Sequence, residues 1–276
     1  SVSPQSGYTL VLSHCIMTLF PGVALITGAA SGASFHFATA GCQKIAVADR
    51  SGEGLAQTQD LIAKEAPNAA VEVIMVNVAQ PESVAAMTAR TVARWGRIDY
   101  AVNAAGIQGP TQRSTELTLD DFDAINNVNS RGLWLCSRAE LAQMSTQTPL
   151  QPHDGRPGNR GAIVHIASQL GVVLRSTAPA YCASKSAVMS LTRSDAIDYS
   201  KDNIRINCVC PGLVETPMTQ GSEEQRELFS SAIAIAPMNR MGQPSEIADV
   251  CLFMCSSKAT FVQGASLLAD GGYTIN

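Results

Sequence analysis

Charge is scarce in this chain. Only 15% of its 276 residues are Asp, Glu, Lys or Arg, and the formal net charge is −4. A weakly negative balance with no basic run excludes the electrostatic footprint of a nucleic-acid or anionic-membrane binder. Metal-ligand spacing is also missing. The eight cysteines include no CxxC pair and gather no His or Asp around them. Cys208 and Cys210 fall on one expected strand, and Cys251 and Cys255 on one expected helix, so they read as small buried hydrophobes and no metal site is predicted. Thiols used in this way fit a reducing compartment, hence a cytoplasmic protein. Long apolar runs are absent too. Tyr8 to Phe20 is fairly apolar, but it has no basic start and is too short to span a bilayer. Residues 1–19 are read as an N-terminal extension, and 20–276 as the folded domain. No repeat at solenoid spacing occurs.

What is present is enough apolar residue, 46%, for one α/β domain with a sizeable core. The low charge content further predicts that other subunits cover part of the surface. Val23-Ala-Leu-Ile-Thr27 is a short buried strand, and Gly28-Ala-Ala-Ser-Gly32 follows it. A strand that enters a Gly-rich turn and then a helix makes a pyrophosphate cradle, because the helix N-terminus faces the anion. A second strand, Lys44 to Ala48, ends in Asp49, about twenty residues past the first glycine, where a carboxylate accepts bonds from ribose hydroxyls. Asp49 repels a 2′-phosphate and favours NAD. The adjacent Arg50 can accept that phosphate, which keeps NADP open.

Further along, strands and helices alternate. Val71 to Val76 is an expected strand, and Val84 to Trp95 an expected helix. Asp120 to Met144 is expected as one long helix, and Thr146 to Arg160 as a surface loop whose His153 and Asp154 are solvated. Alternation of this kind predicts a doubly wound parallel sheet, Rossmann-like, in a single domain. The apolar strand Ala162 to Ala167 ends at Ser168. Tyr181 and Lys185 follow, one helical turn apart on one face. An ammonium beside a phenol favours the phenolate and lowers its pKa, and such a phenol can pass a proton to or from a substrate oxygen that Ser168 also holds.

Taken in order, these segments resemble the short-chain dehydrogenase/reductase family over almost the whole chain. Thr27-Gly-Ala-Ala-Ser-Gly32 is similar to its TGxxxGxG motif, and Asn103-Ala-Ala-Gly106 to its NAG motif, which the resemblance implies stabilises the central sheet and lines the adenine side. Pro211-Gly-Leu-Val-Glu-Thr216 resembles its PGxxxT segment, and Asp270-Gly-Gly-Tyr273 its common ending. The resemblance implies a catalytic set of Asn129, Ser168, Tyr181 and Lys185. It implies that Asn129 positions a water in a proton relay from Lys185, and that Lys185 also holds the nicotinamide ribose. Gly28, Ser31, Gly32, Ala33, Asp49, Arg50, Asn77, Val78, Asn103, Ala104 and Gly106 are the implied cofactor contacts on one side. Pro211, Gly212, Val214 and Thr216 are those on the other. Asn77 stands in place of a common Asp, its amide oxygen taking over a bond to the adenine amino group. Metal ligands are not implied, and a homotetramer or homodimer is.

Two departures stand out. The third glycine of the first motif is Ser34, and the helix after it is about one turn short. Both are expected to weaken dinucleotide binding, since that glycine serves close helix–strand packing. The pocket is expected from Gln108, Gln169, Leu170, Val172, Leu174, Leu213, Met218 and Phe229, a mainly apolar set with no Arg or Lys placed for a carboxylate. It suits a hydrophobic alcohol or ketone. The activity expected is NAD(P)-dependent interconversion of a secondary alcohol and a ketone. The alternatives are a relative repurposed as a cyclase or dehydratase with weakened cofactor binding, and a catalytically silent scaffold.

Overall fold

The computed structural model describes residues 18–31, 33–151, 155–216, 218–219 and 223–275. Among them lie the strands β1 (Val23–Thr27), β2 (Lys44–Asp49), β3 (Ala70–Met75), β4 (Tyr100–Asn103), β5 (Gly161–Ile166), β6 (Ile204–Pro211) and β7 (Ser266–Ala269). They pair in parallel in the order β3-β2-β1-β4-β5-β6-β7. Central strands are apolar throughout because both faces are covered. Along β1, Ala24 and Ile26 join one core and Leu25 the other, the two-residue alternation of a pleated strand.

The first core is covered by α1 (Ala33–Thr39), α2 (Gly52–Glu65) and α8 (Pro244–Cys255). The second is covered by α3 (Pro81–Trp95), α5 (Leu133–Met144) and α6 (Pro179–Tyr199). Local chemistry sets the helix starts. Ser51 and Thr118 accept bonds from the first-turn amides of Gly54 and Asp121, and proline opens α3, α6 and α8, where its missing N–H costs nothing. Arg205 on β6 is buried and donates to the carbonyls of Met254, Cys255 and Ser256, a cation on the carbonyl end of α8.

The expected long helix is divided. It runs as α4 (Leu119–Asn126), a six-residue π-helical stretch Asn127–Gly132, and α5. Such wide turns carry no periodic apolar signature, so the sequence shows one continuous pattern. The shortened first helix α1 forms and packs. Phe37 is buried, and its ring lies 5.4 Å from that of Phe20. Ser34 is fully buried, and its hydroxyl has no partner among the described residues. Residues 145–151 and 155–160 carry no helix or strand, as expected, while His153 and Asp154 lie outside the described residues. So do residues 1–17 of the expected extension. Thr18 already belongs to the packed region, since its hydroxyl donates to the Gly41 carbonyl at 3.2 Å.

The strand order reverses between β1 and β4. In sheets of this class the crevice outside the carboxyl ends at such a reversal is where ligands bind.

Candidate active site

A cleft of about 450 Å³ opens at that reversal, along the carboxyl ends of β1, β2, β4, β5 and β6. Gly28 follows β1 with φ +69°, and a Cβ there would sit 2.7 Å from backbone atoms of Ala104 and Ala105. Glycine is therefore demanded by the close pass of the β1 and β4 turns as well as by any ligand. Asp49 ends β2. Its carboxylate accepts from the Ala30 amide at 3.1 Å and from the Ser51 amide at 3.0 Å, so it pins the Gly-rich turn while facing the cleft. Arg50, Asn77 and Val78 line the same end. Asn77 Oδ1 already accepts from the Ala79 amide at 3.1 Å, which leaves one lone pair and the NH₂ for a ligand.

Asn103 serves the sheet, as the motif implies, and its side chain does not line the cleft. Its side chain is buried below the cleft, donating from Nδ2 to Glu140 at 2.8 Å and accepting from the Thr27 hydroxyl at 3.4 Å. It ties β4 to α5 and β1, while Ala104 and Gly106 reach the cleft wall. Ser31 lies in the short turn Ala29–Ser31, Ala33 begins α1, and Gly32 is outside the described residues. Pro211, Gly212, Val214 and Thr216 form the facing wall.

At the other end Ser168, Tyr181 and Lys185 line one region of the cleft. The Ser168 hydroxyl accepts from the Leu170 amide at 3.1 Å and is hydrogen bonded to Tyr181. Lys185 Nζ lies 5.8 Å from the centre of the Tyr181 ring and donates to the Ile166 carbonyl at 2.8 Å. Asn129 is fully buried inside the π-helical stretch. It exchanges two bonds of 2.8 Å with the Ile107 backbone and donates to Ser184 at 3.1 Å. Gly106 leaves the gap where Asn129 and Lys185 approach, since a Cβ there would meet Asn129 Oδ1 at 3.3 Å and Lys185 Nζ at 3.5 Å.

The electrostatics correct one expectation. Burial raises the Tyr181 phenol above its ordinary range, opposed by the Ser168 hydrogen bond and by the positive charge of Arg175. Lys185 is desolvated as well. Its own ammonium is pushed down to about 8 by burial, because a desolvated cation is disfavoured too.

The lining also departs from the sequence reading. Gln108, Gln169, Leu170, Leu213, Met218 and Phe229 do line the cleft. Val172 and Leu174 are instead exposed, at 45% and 76%, on the loop that leaves Gln169. A cation does face this region, contrary to expectation: Arg175 lines the cleft with Ser168 and Tyr181. It is the sole charged side chain between those two residues, which is the signal that could have found it. Among the described residues no three His, Cys, Asp or Glu gather as a metal site, and no helix is long and apolar enough to cross a membrane.

The donor set fits a nicotinamide dinucleotide. A carboxylate for a ribose diol stands at one end, hydrophobic Val76 and Val78 lie beside it, and the phenol and ammonium stand at the other. Fold and site together define a nucleotide-dependent oxidoreductase of the doubly wound class.

Comparison with known proteins gives the family. A family model described as enoyl-(acyl carrier protein) reductase matches residues 22–274. The 2-(R)-hydroxypropyl-CoM dehydrogenase of Xanthobacter autotrophicus is 37% identical over 260 residues, 91% of this chain and 98% of that protein. The short-chain dehydrogenase fogB of Aspergillus ruber is 37% identical over 266 residues, 92% of this chain and 97% of that protein. The crystal structure of levodione reductase superposes with a TM-score of 0.84 at 32% identity, covering 92% of this chain and 97% of that one. The chain belongs to the short-chain dehydrogenase/reductase family and is an NAD(P)-dependent alcohol dehydrogenase or ketoreductase.

Proposed function

We propose that this enzyme interconverts a secondary alcohol and a ketone on a largely hydrophobic small molecule, with NAD(H) and with Tyr181 as general acid and base. The observation that carries the reading is the convergence of Ser168, Tyr181 and Lys185 at one end of a cleft whose other end holds Asp49. When bound, the nicotinamide supplies or accepts the hydride. In reduction the neutral phenol of Tyr181 gives its proton to the carbonyl oxygen, and in oxidation the phenolate removes the hydroxyl proton. Ser168 donates to the same oxygen as charge gathers on it. Lys185, with an ammonium weakened to about 8, can return a proton toward Tyr181, and Asn129 fixes the adjoining backbone at Ile107. Thr216 and Gly212 would hold the nicotinamide half and Asp49 the adenosine ribose, all three lining the cleft. The seven described cysteines are free and buried, which supports a reducing, cytoplasmic setting.

Two fluorescence titrations, with NADH and with NADPH, test the cofactor half. NADH is expected to bind the more tightly, and Asp49→Asn to narrow the gap by about tenfold, since it removes the charge that opposes a 2′-phosphate while keeping one amide acceptor. Tighter NADPH binding by the native chain would reverse the cofactor assignment, and binding of neither would remove the redox reading.

A further inference from the structure

We infer that the substrate carries a carboxylate or a comparable oxyanion, and that Arg175 holds it at the reacting end of the cleft. This deepens the alcohol–ketone reading above and rests on it. Arg175 lies on the loop between Ser168 and Tyr181 and shares the cleft wall with both. Its Nε is closed off from solvent and has no hydrogen-bond partner. Arg90, Arg94, Arg97 and Arg240 each pair with a carboxylate, whereas Arg175 has no carboxylate partner among the described residues. Gln169, at the same end, is 5% exposed and has a buried amide oxygen that is also unpartnered. Rotation of that amide can present either its oxygen or its NH₂.

Buried polar groups in folded proteins are almost always paired. Here two unpaired ones share one end of a cleft otherwise lined by Leu170, Leu213 and Phe229. Arg175 Nε is satisfied if the ligand brings an acceptor, and Gln169 can donate to the same ligand once its amide is turned to present the NH₂. A neutral carbonyl would satisfy a single donor. A guanidinium fork in an apolar surround is matched by two coplanar anionic oxygens. Arg175 lines the cleft with Tyr181, and its positive charge favours the phenolate there. The loop is held in place. The Gln112 amide donates to the Thr177 carbonyl at 2.9 Å, and Thr177 adopts φ +60°, a conformation a β-branched residue takes only under constraint.

Binding and turnover test the inference separately. Cyclohexanecarboxylate and cyclohexanecarboxamide, neither of which can be oxidised as an alcohol, are titrated by calorimetry with and without saturating NAD⁺. The native enzyme is expected to prefer the carboxylate by about tenfold or more, and Arg175→Leu to remove that preference while moving the amide by less than about threefold. Arg175→Lys should keep part of it, which a loss of folding would not. Turnover of 4-oxocyclohexanecarboxylate and of its methyl ester is then compared, the acid being the better substrate only when Arg175 is present. Equal affinity for acid and amide in the native enzyme, or an equal loss of both in Arg175→Leu, overturns the inference. Arg175-dependent binding of the acid without turnover of either ketone leaves the anion site standing and removes the redox reading.

Discussion

At the scale of single residues, the site works against burial. Tyr181 is a phenol whose anion is disfavoured by burial, while Ser168 and Arg175 lean the other way. A residue held so firmly as a proton donor should be indispensable to the proton step and dispensable to the fold. Tyr181→Phe is expected to lower turnover by at least about a hundredfold, the usual scale for a positioned acid or base. Its melting temperature should stay near that of the native chain. Native-like turnover in that variant would remove Tyr181 from the mechanism. Glu140 shows the same conflict away from the chemistry. It is fully buried, takes one bond from Asn103, and has its second oxygen unpartnered. Burial raises its pKa from 4.5 to about 7. The unfolded chain therefore gives up this proton first as pH rises. The contribution of Glu140 to stability is full below pH 4.5, falls between 4.5 and about 7, and stays low above that. Glu140→Gln has no such proton to lose. Thermal melts should show the variant gaining on the native protein from pH 5 to pH 8, and a gap that does not change with pH would refute the buried-acid assignment.

At the scale of elements, α1 is where this chain departs furthest from its family's pattern. The missing turn leaves a seven-residue helix, yet Phe37 still reaches the core. The cost falls on Ser34, whose hydroxyl is buried without a partner. An unsatisfied buried hydroxyl costs about 1–3 kcal/mol. Ser34→Ala should therefore raise the melting temperature by about 2–4 °C per kcal/mol regained in a protein of this size. Ser34→Gly should in addition tighten NADH binding, by restoring the close packing that the motif's third glycine allows. Unchanged melting in Ser34→Ala would mean that the hydroxyl finds a partner in solution. Most of the architecture was legible beforehand for one physical reason. Parallel strands covered on both faces must be unbroken apolar runs, and β1, β2, β5 and the Gly-rich turn between β1 and α1 are such signals. Ser168, Tyr181 and Lys185 were legible because helix spacing and a strand end fix where they point. The π-helical stretch around Asn129 was not, since widening a helix by one residue leaves its apolar stripe intact. The sheet-tying role of Asn103 was legible through its motif alone, because a polar residue at a strand end gives no sign of which face it serves. Arg175 escaped notice because its loop has no periodicity from which a direction could be read.

At the scale of the whole molecule, low charge and exposed apolar side chains belong to one pattern. Leu119 is 82% exposed and Phe122 43% on α4, Trp134 is 40% exposed on α5, and Ile197 is 78% exposed on α6. The longer helices α5 and α6 lie on one side of the sheet, and the short α4 packs on α6. A second group stands near the sheet's far edge, where Phe261 is fully exposed beside the edge strand β7 with Leu267 and Leu268. Scattered exposed hydrophobes need no explanation, but apolar groups gathered on long helices and along an open sheet edge do. Both surfaces are accounted for if copies of the chain pack through them, one contact across the helices and one across β7, and two such contacts build a tetramer of twofold symmetry. Light scattering at micromolar concentration is expected to give a dimer or tetramer. Trp134→Glu would place a charge in the helical contact and should shift the population to a smaller species, and Leu268→Lys should do so through the sheet edge. If the two contacts are independent, each variant stops at the dimer made by the other contact, and the double variant is monomeric. A native chain that is monomeric at these concentrations would rule out the assembly, and the exposed helices would then need another partner.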